Sequence, residues 1–163
     1  MSEPTPFALS QLFTQLIGRK VTFAQTTIAA ETKIKQIYGI YNVFPHETAI
    51  VVKADLPLLG SFVGVLVGLP DSTVKERLAL SPLDELLRDG ICEVLNIASS
   101  VVVTEGRAVF TKMVGDPTLI DGVAGKLFKR PDRKIYFNVL VEGYQGGKFT
   151  IFDQFAPVQT ITF

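Results

Sequence analysis

Residues 81–104 read SPLDELLRDGICEVLNIASSVVVT, and the rest of the chain is organised around them. Leu86, Leu87, Ile91, Val94, Leu95, Ile97, Ala98, Val101 and Val102 recur at helical intervals. The pattern predicts a long helix that starts after Ser81 and ends near Thr104 to Gly106. Ser81 reads as its N-cap, with Pro82 at N1 and Asp84 at N3. Asp89, Glu93, Asn96 and Ser100 follow one another at spacings of four, three and four, which stacks them along one face. The rest of the circumference is largely apolar, so the helix should be covered on most sides. Gly90 sits inside it at a cost of about 1 kcal/mol against Ala, which points to close packing against a neighbour or to a bend.

Working outward, Phe7, Leu9, Leu12, Phe13, Leu16 and Ile17 predict a first helix ended by Gly18. Strands follow at Val21–Ile28 and Thr32–Val43, with a turn at Pro45 to Glu47. Ala49–Leu56 and Ser61–Leu69 read as two more strands, joined through Pro57 and Gly60 and rich in β-branched residues. DSTVKERLAL, from Asp71, reads as a short helix. Beyond the long helix, Arg107–Met113 suits a short strand or a helical turn, and Gly115–Gly122 a loop with a brief extended piece. The chain closes on a hairpin from Lys134, turning at Gly143–Gly147 and returning as KFTIFDQF; Val158–Phe163 suits one last short strand. The fold class is therefore α+β: a mostly antiparallel central sheet covered by helices, as a single domain over residues 1–163. Each half shows a helix followed by strands, which hints at a degenerate internal repeat.

Composition narrows the function classes. The chain has 163 residues, 47% of them hydrophobic, enough for one sizeable core. Sixteen basic and sixteen acidic residues cancel, so no bulk field draws it to nucleic acid or to anionic lipid. One cysteine, Cys92, rules out an intrachain disulfide and fits a reducing compartment. MSEPTPFALS lacks the basic-then-apolar order of a signal peptide, and the longest apolar run, Phe62 to Leu69, is too short to span a bilayer. The expectation is a cytoplasmic protein with no membrane insertion and no nucleic-acid partner.

The arrangement D-x3-E-x2-N, at Asp89, Glu93 and Asn96, resembles the signature of the CheC, CheX and FliY group of chemotaxis proteins. GICEVLNIASSVVV is similar to that group's E-x2-N helix in its apolar and small residues. Pro117, with twenty residues between it and Asn96, resembles the proline that follows the motif after a loop. The likeness covers residues 7–156. It implies a CheC-like fold and a phosphatase, a hydrolase of two-component signalling that speeds hydrolysis of the aspartyl phosphate on a CheY-type response regulator. On that likeness Glu93 would meet the regulator's active-site lysine. Asn96 would enter the phosphorylation site and orient the attacking water, because an amide both donates and accepts. Asp89 and Ser100 would support that face. Magnesium would come bound to the receiver domain, and this chain would hold no cofactor and no metal of its own. The first helix has Gln11 and Gln15 but no second E-x2-N, which resembles the single-site, CheX-like arrangement.

Three other readings stand beside this one. The same fold would serve as a non-catalytic signalling module that binds or sequesters a response regulator. Glu93 and Asn96 would then be contact residues, or simply part of a solvated face. An unrelated small-molecule enzyme would need a cluster of polar residues that the sequence does not offer. His46 has no second histidine beside it. Cys92 reads as a small apolar residue, and GRKVT at 18–22 lacks the rest of a phosphate loop. Lys112, Lys126, Lys129, Arg130 and Arg133 form a mild basic patch whose default reading is solvation. Phe137, Val139, Val141, Phe149, Ile151 and Phe152, on strands that could finish a sheet, suggest a homodimer through sheet edges or the C-terminal hairpin.

Overall fold

The computed structural model describes residues 3–29 and 33–155. Helix α1 (Pro6–Ile17) is followed by strands β1 (Val21–Thr26), β2 (Gln36–Phe44) and β3 (Thr48–Asp55). Helices α2 (Leu56–Val67), α3 (Asp71–Leu78) and α4 (Glu85–Ile97) come next, then β4 (Arg107–Val114), α5 (Gly122–Lys129), β5 (Arg133–Val141) and β6 (Gly147–Asp153). The strands form one sheet in the order β1-β5-β6-β3-β2-β4, with every pair antiparallel. The α+β architecture, an antiparallel sheet flanked by helices, is the one the sequence predicts.

Local chemistry sets the first elements. Thr5 caps α1 by accepting from the Ala8 N–H at 3.1 Å, and Pro6 opens the helix. Gly18 closes it in the left-handed region, φ 70°, its N–H returning to the Thr14 carbonyl. One face of the sheet packs against α1, α2 and α4 in the main core. Phe13 of α1 stacks on Phe62 of α2 at 4.7 Å and leans on Phe23 of β1 at 5.2 Å, tying two helices to the sheet. The opposite face carries a smaller core, where Ala124, Leu127 and Phe128 of α5 cover Tyr38, Ile40, Val51 and Phe152.

Four expectations change. The stretch predicted as a strand over Ser61–Leu69 is helix α2, with Pro57 in its first turn. Its first two turns, Leu56 and Leu58–Gly64, are buried, so an apolar run there serves a helix as well as a strand. Gly60 and Gly64, one turn apart, form its close-packed face: a Cβ at either would lie 2.7 Å from Leu78 or 2.5 Å from Val74 of α3. The long helix is shorter than expected at both ends. Its N-cap is Asp84 rather than Ser81, and it stops at Ile97 before a 3-10 turn at Ala98–Ser100, since Ser99, Ser100 and Val101–Val103 favour the helix poorly. The loop expected over Gly115–Gly122 leads into a helix that the sequence reading missed, α5.

The C-terminal hairpin, as predicted, is present, but it is central rather than peripheral. β5 lies between β1 and β6, and β6 between β5 and β3. Phe137, Val139, Val141, Phe149 and Ile151 are buried in the main core and Phe152 lies under α5, so these six side chains are not open to a second copy. At the β1 edge, the Val21 and Phe23 N–H groups donate to the hydroxyls of Thr14 and Ser10 on α1, which blunts that edge. The strand expected at Val158–Phe163 lies outside the described residues.

Candidate functional site

Helix α4 is held at three points. At its start the Asp84 carboxylate accepts from the Leu87 N–H at 3.0 Å and takes a two-pronged ion pair from Arg77 of α3, both contacts at 2.9 Å. These contacts hold the Asp84 carboxyl below the usual carboxylate range, the Leu87 N–H contributing most. At mid-helix, Gly90 lets α2 approach: a Cβ there would lie 2.6 Å from Val63. This is the close packing against a neighbouring helix that the sequence suggested. At its end, the buried Tyr41 hydroxyl donates to the Leu95 carbonyl at 2.6 Å. Leu87, Ile91, Val94 and Leu95 face the core.

The opposite side of α4 is open. Asp89, Glu93 and Asn96 are all exposed, in the line that their spacing predicts. Ser100 is exposed too, but it stands on the 3-10 turn and its hydroxyl donates to the Ile97 carbonyl at 3.2 Å. Asp89 lies 3.8 Å from Arg88, an exposed pair worth little in water. Neither the Glu93 nor the Asn96 side chain has a hydrogen bond or ion pair among the described residues. Leu86, counted with the core from sequence, is 43% exposed. It stands two turns before Glu93 on the same side, a spacing of seven that could have been read from the sequence.

The remaining candidates fall elsewhere. Cys92 is half-buried, and its thiol is pushed up, first by burial and then by Asp89, so it stays protonated. Pro117 opens a 3-10 turn beyond β4 that leads into α5, the helix on the opposite face of the sheet from α4. His46 sits exposed in the β2–β3 turn. No group of three or more His, Cys, Asp or Glu is placed to hold a metal among the described residues, and no described helix is long and apolar enough to cross a membrane. Of the basic patch, Lys112 pairs with Asp121, and Arg133 pairs with Asp153 at 2.5 Å in a largely buried contact. What α4 presents is a carboxylate, an amide and a leucine on a firmly seated helix. Among the described residues it pairs no nucleophile with a base.

No family profile and no curated protein matches the chain. Solved structures do. FliM of Helicobacter pylori, in its complex with FliG, superposes with a TM-score of 0.61 at 13% identity, covering 93% of this chain and 87% of that one. The H. pylori FliM middle domain gives 0.54 at 15% identity, over 91% and 84%. Thermotoga maritima FliY gives 0.53 at 14% identity, over 87% and 80%. At these identities the fold is what is shared. The chain has the α+β architecture of the FliM middle domain and of FliY, without singling out a CheX-type arrangement.

Proposed function

We propose that this chain is a single-domain, cytoplasmic signalling module that docks a CheY-type receiver domain on the exposed face of α4 without turning over its phosphate. The observation that carries this reading is the pair Glu93 and Asn96, displayed on a firmly anchored helix with no partner of their own. A free carboxylate suits a lysine on a partner, a free amide suits a polar rim, and Leu86 supplies an apolar contact beside them. The FliM fold is itself solved in complex with another protein, FliG.

Phosphatase activity, with Glu93 and Asn96 catalytic and Asp89 and Ser100 in support, is the second reading. The exposed E-x2-N pair favours it. Against it stands the placement of Asn96, one residue from the end of α4, with no hydrogen bond to fix its amide. Catalysis by water positioning demands that amide within about 1 Å. Both readings are tested by adding the protein to phosphorylated receivers from the same genome and following binding and phosphate lifetime together. Binding with an unchanged lifetime supports the module. A shortened lifetime establishes the phosphatase, and no binding to any receiver overturns both.

A further inference from the structure

The sheet's outer face is covered only in part. Helix α5 lies over β2, β3 and the end of β6, while the outward side chains of β1, β5 and the rest of β6 have no covering helix among the described residues. Register places Thr22 beside Leu140, and Ala24 beside Asn138 and Lys148, on this open half; in the next row Tyr136 and Lys53 flank Thr150, which is buried. Leu140 is 68% exposed. A cleft of about 870 Å³ opens there, walled by Ala24, Ile34, Pro57, Leu140 and the Gly146–Lys148 turn.

Cations outnumber carboxylates on this side, where Asp132, exposed at the start of β5, accepts from the Phe155 N–H. Lys53, Lys134 and Lys148 point outward from the strands, and α5 adds Lys126, Lys129 and Arg130. None of the six has an ion pair among the described residues, whereas Lys75, Arg77, Arg88, Lys112 and Arg133 each have one. Lys148 donates to the Asn138 side chain, and the Lys134 ammonium stands 5.9 Å from the Phe152 ring. Asp55, which borders the cleft, is 2% exposed and already engaged: its oxygens take the Gln36 amide at 2.5 Å and the Lys148 N–H at 2.8 Å. Glu142 stands at the β5–β6 turn, and Asp116 and Asp121 lie by β4 at the other edge of the sheet. Of these cations Lys148 lines the cleft, Lys53 lies one row farther along the sheet, and Lys134 and the α5 cations continue the outward face toward its other end.

We infer that this face docks an acidic, amphipathic peptide segment of a partner protein. One apolar side chain of the segment enters the cleft over Leu140, and its carboxylates meet Lys134, Lys148 and Lys53. Positive potential beside a concave apolar surface is complementary to that chemistry. A phosphate backbone would leave the cleft and Leu140 unused, and a flat bilayer surface would not enter it. The face lies in the layer opposite α4, so this site and the receiver site can be filled together and fail independently.

The test uses the full chain and a fluorescein-labelled peptide of Asp and Glu around a central Leu-Phe pair, with a Lys-for-acid counterpart as control. Anisotropy should show binding of the acidic peptide alone. Lys134→Glu with Lys148→Glu should weaken it roughly tenfold or more, and Leu140→Asp likewise. Arg88→Glu and Glu93→Ala, both on α4 on the far side of the sheet, should leave it unchanged. Amide resonances of Thr22, Ala24 and Leu140 should shift on titration while those of α4 stay still. Circular dichroism confirms that each variant is folded; Leu140→Ser replaces Leu140→Asp if the latter is not. Absence of peptide binding, or equal affinity in the charge-reversed variant, overturns the inference. So does tighter binding to duplex RNA or to phosphatidylserine vesicles than to the peptide. Self-association that the charge reversal abolishes while the peptide stays unbound also overturns it, and assigns the face to a second copy.

Discussion

The hydroxyl of Tyr41 in β2 donates to the main-chain carbonyl of Leu95 in α4 at 2.6 Å, one residue before Asn96. The carbonyl belongs to the last turn of the helix, whose acceptors lack intrahelical donors. Tyr41 is fully buried, and burial pushes its phenol far above the ordinary range, so it donates at any working pH. The sheet therefore fixes the end of the helix that carries the exposed pair.

Tyr41→Phe keeps the ring and leaves the Leu95 carbonyl buried without that donor. It should cost about 1–3 kcal/mol in urea unfolding, the usual penalty for an orphaned buried polar group. Amide exchange at the end of α4 should quicken more than in β5. A variant as stable as the wild type would mean that the carbonyl finds water or a new donor.

Gly90→Ala sets two effects against each other. The helix gains about 1 kcal/mol in propensity. The new methyl must sit 2.6–2.8 Å from both methyls of Val63, which is fully buried and stiff at χ1. Overpacking of this kind costs about 1–3 kcal/mol, so the variant should be destabilised by thermal or urea unfolding. Adding Val63→Ala should make the Gly90 change less costly than it is alone, a coupling that a double-mutant cycle reads directly. Additive effects would show that the helices part easily.

How far the sequence could be read follows from how local each signal was. The exposed line Asp89, Glu93, Asn96 was legible because helical periodicity alone places it, and the closing hairpin because alternation and a glycine turn sit together. Helix α2 was misread because LGSFVGVLVGL is apolar throughout, so its period was hidden; the regular recurrence of Gly60, Gly64 and Gly68 was the available helical signal. Helix α5 was missed because GVAGKLFK is short and its buried Ala124 and Leu127 only make sense against a sheet face that the sequence does not show. The Arg77–Asp84 pair, which moves the N-cap, depends on how α3 and α4 meet in space. The six unpaired cations became visible as one face only once strand register and α5 were known.

That cap gives a pH-dependent prediction. The Asp84 carboxyl is held below the ordinary carboxylate range by the Leu87 N–H and by Arg77. A group with a depressed folded pKa contributes its stability above the unfolded value, near 3.9, and loses it as the pH falls through the folded value. Asp84→Ala should therefore cost about 1 kcal/mol at neutral pH, the worth of a lost cap. The gap to wild type should narrow as the pH drops below about 4. Asp84→Asn keeps a good capping side chain and should fall between the two at pH 7. A gap that is constant from pH 7 to pH 3 would mean that the charge on Asp84 contributes nothing.

The exposed pair separates the two functional readings most directly. If α4 is a docking face, Glu93→Ala should weaken binding to the cognate receiver roughly tenfold, because it removes an interfacial charge, while Asn96→Ala should change affinity little. Leu86→Asp should weaken binding as well, since it places a carboxylate where an apolar contact is needed. In every case the phosphate on the receiver should last as long as it does alone. If α4 is instead catalytic, the wild type should shorten that lifetime. Asn96→Ala should then abolish the acceleration at nearly unchanged affinity, because orienting water matters only in the transition state. Glu93→Ala should in that case lower both affinity and turnover. Charge exchange tightens the test: Glu93→Lys should lose binding, and replacing the receiver's active-site lysine by glutamate should restore it, a rescue that nonspecific loss of structure would not give. If Glu93→Ala, Asn96→Ala and Leu86→Asp all bind as the wild type does, the polar line is a solvated face and the receiver docks elsewhere.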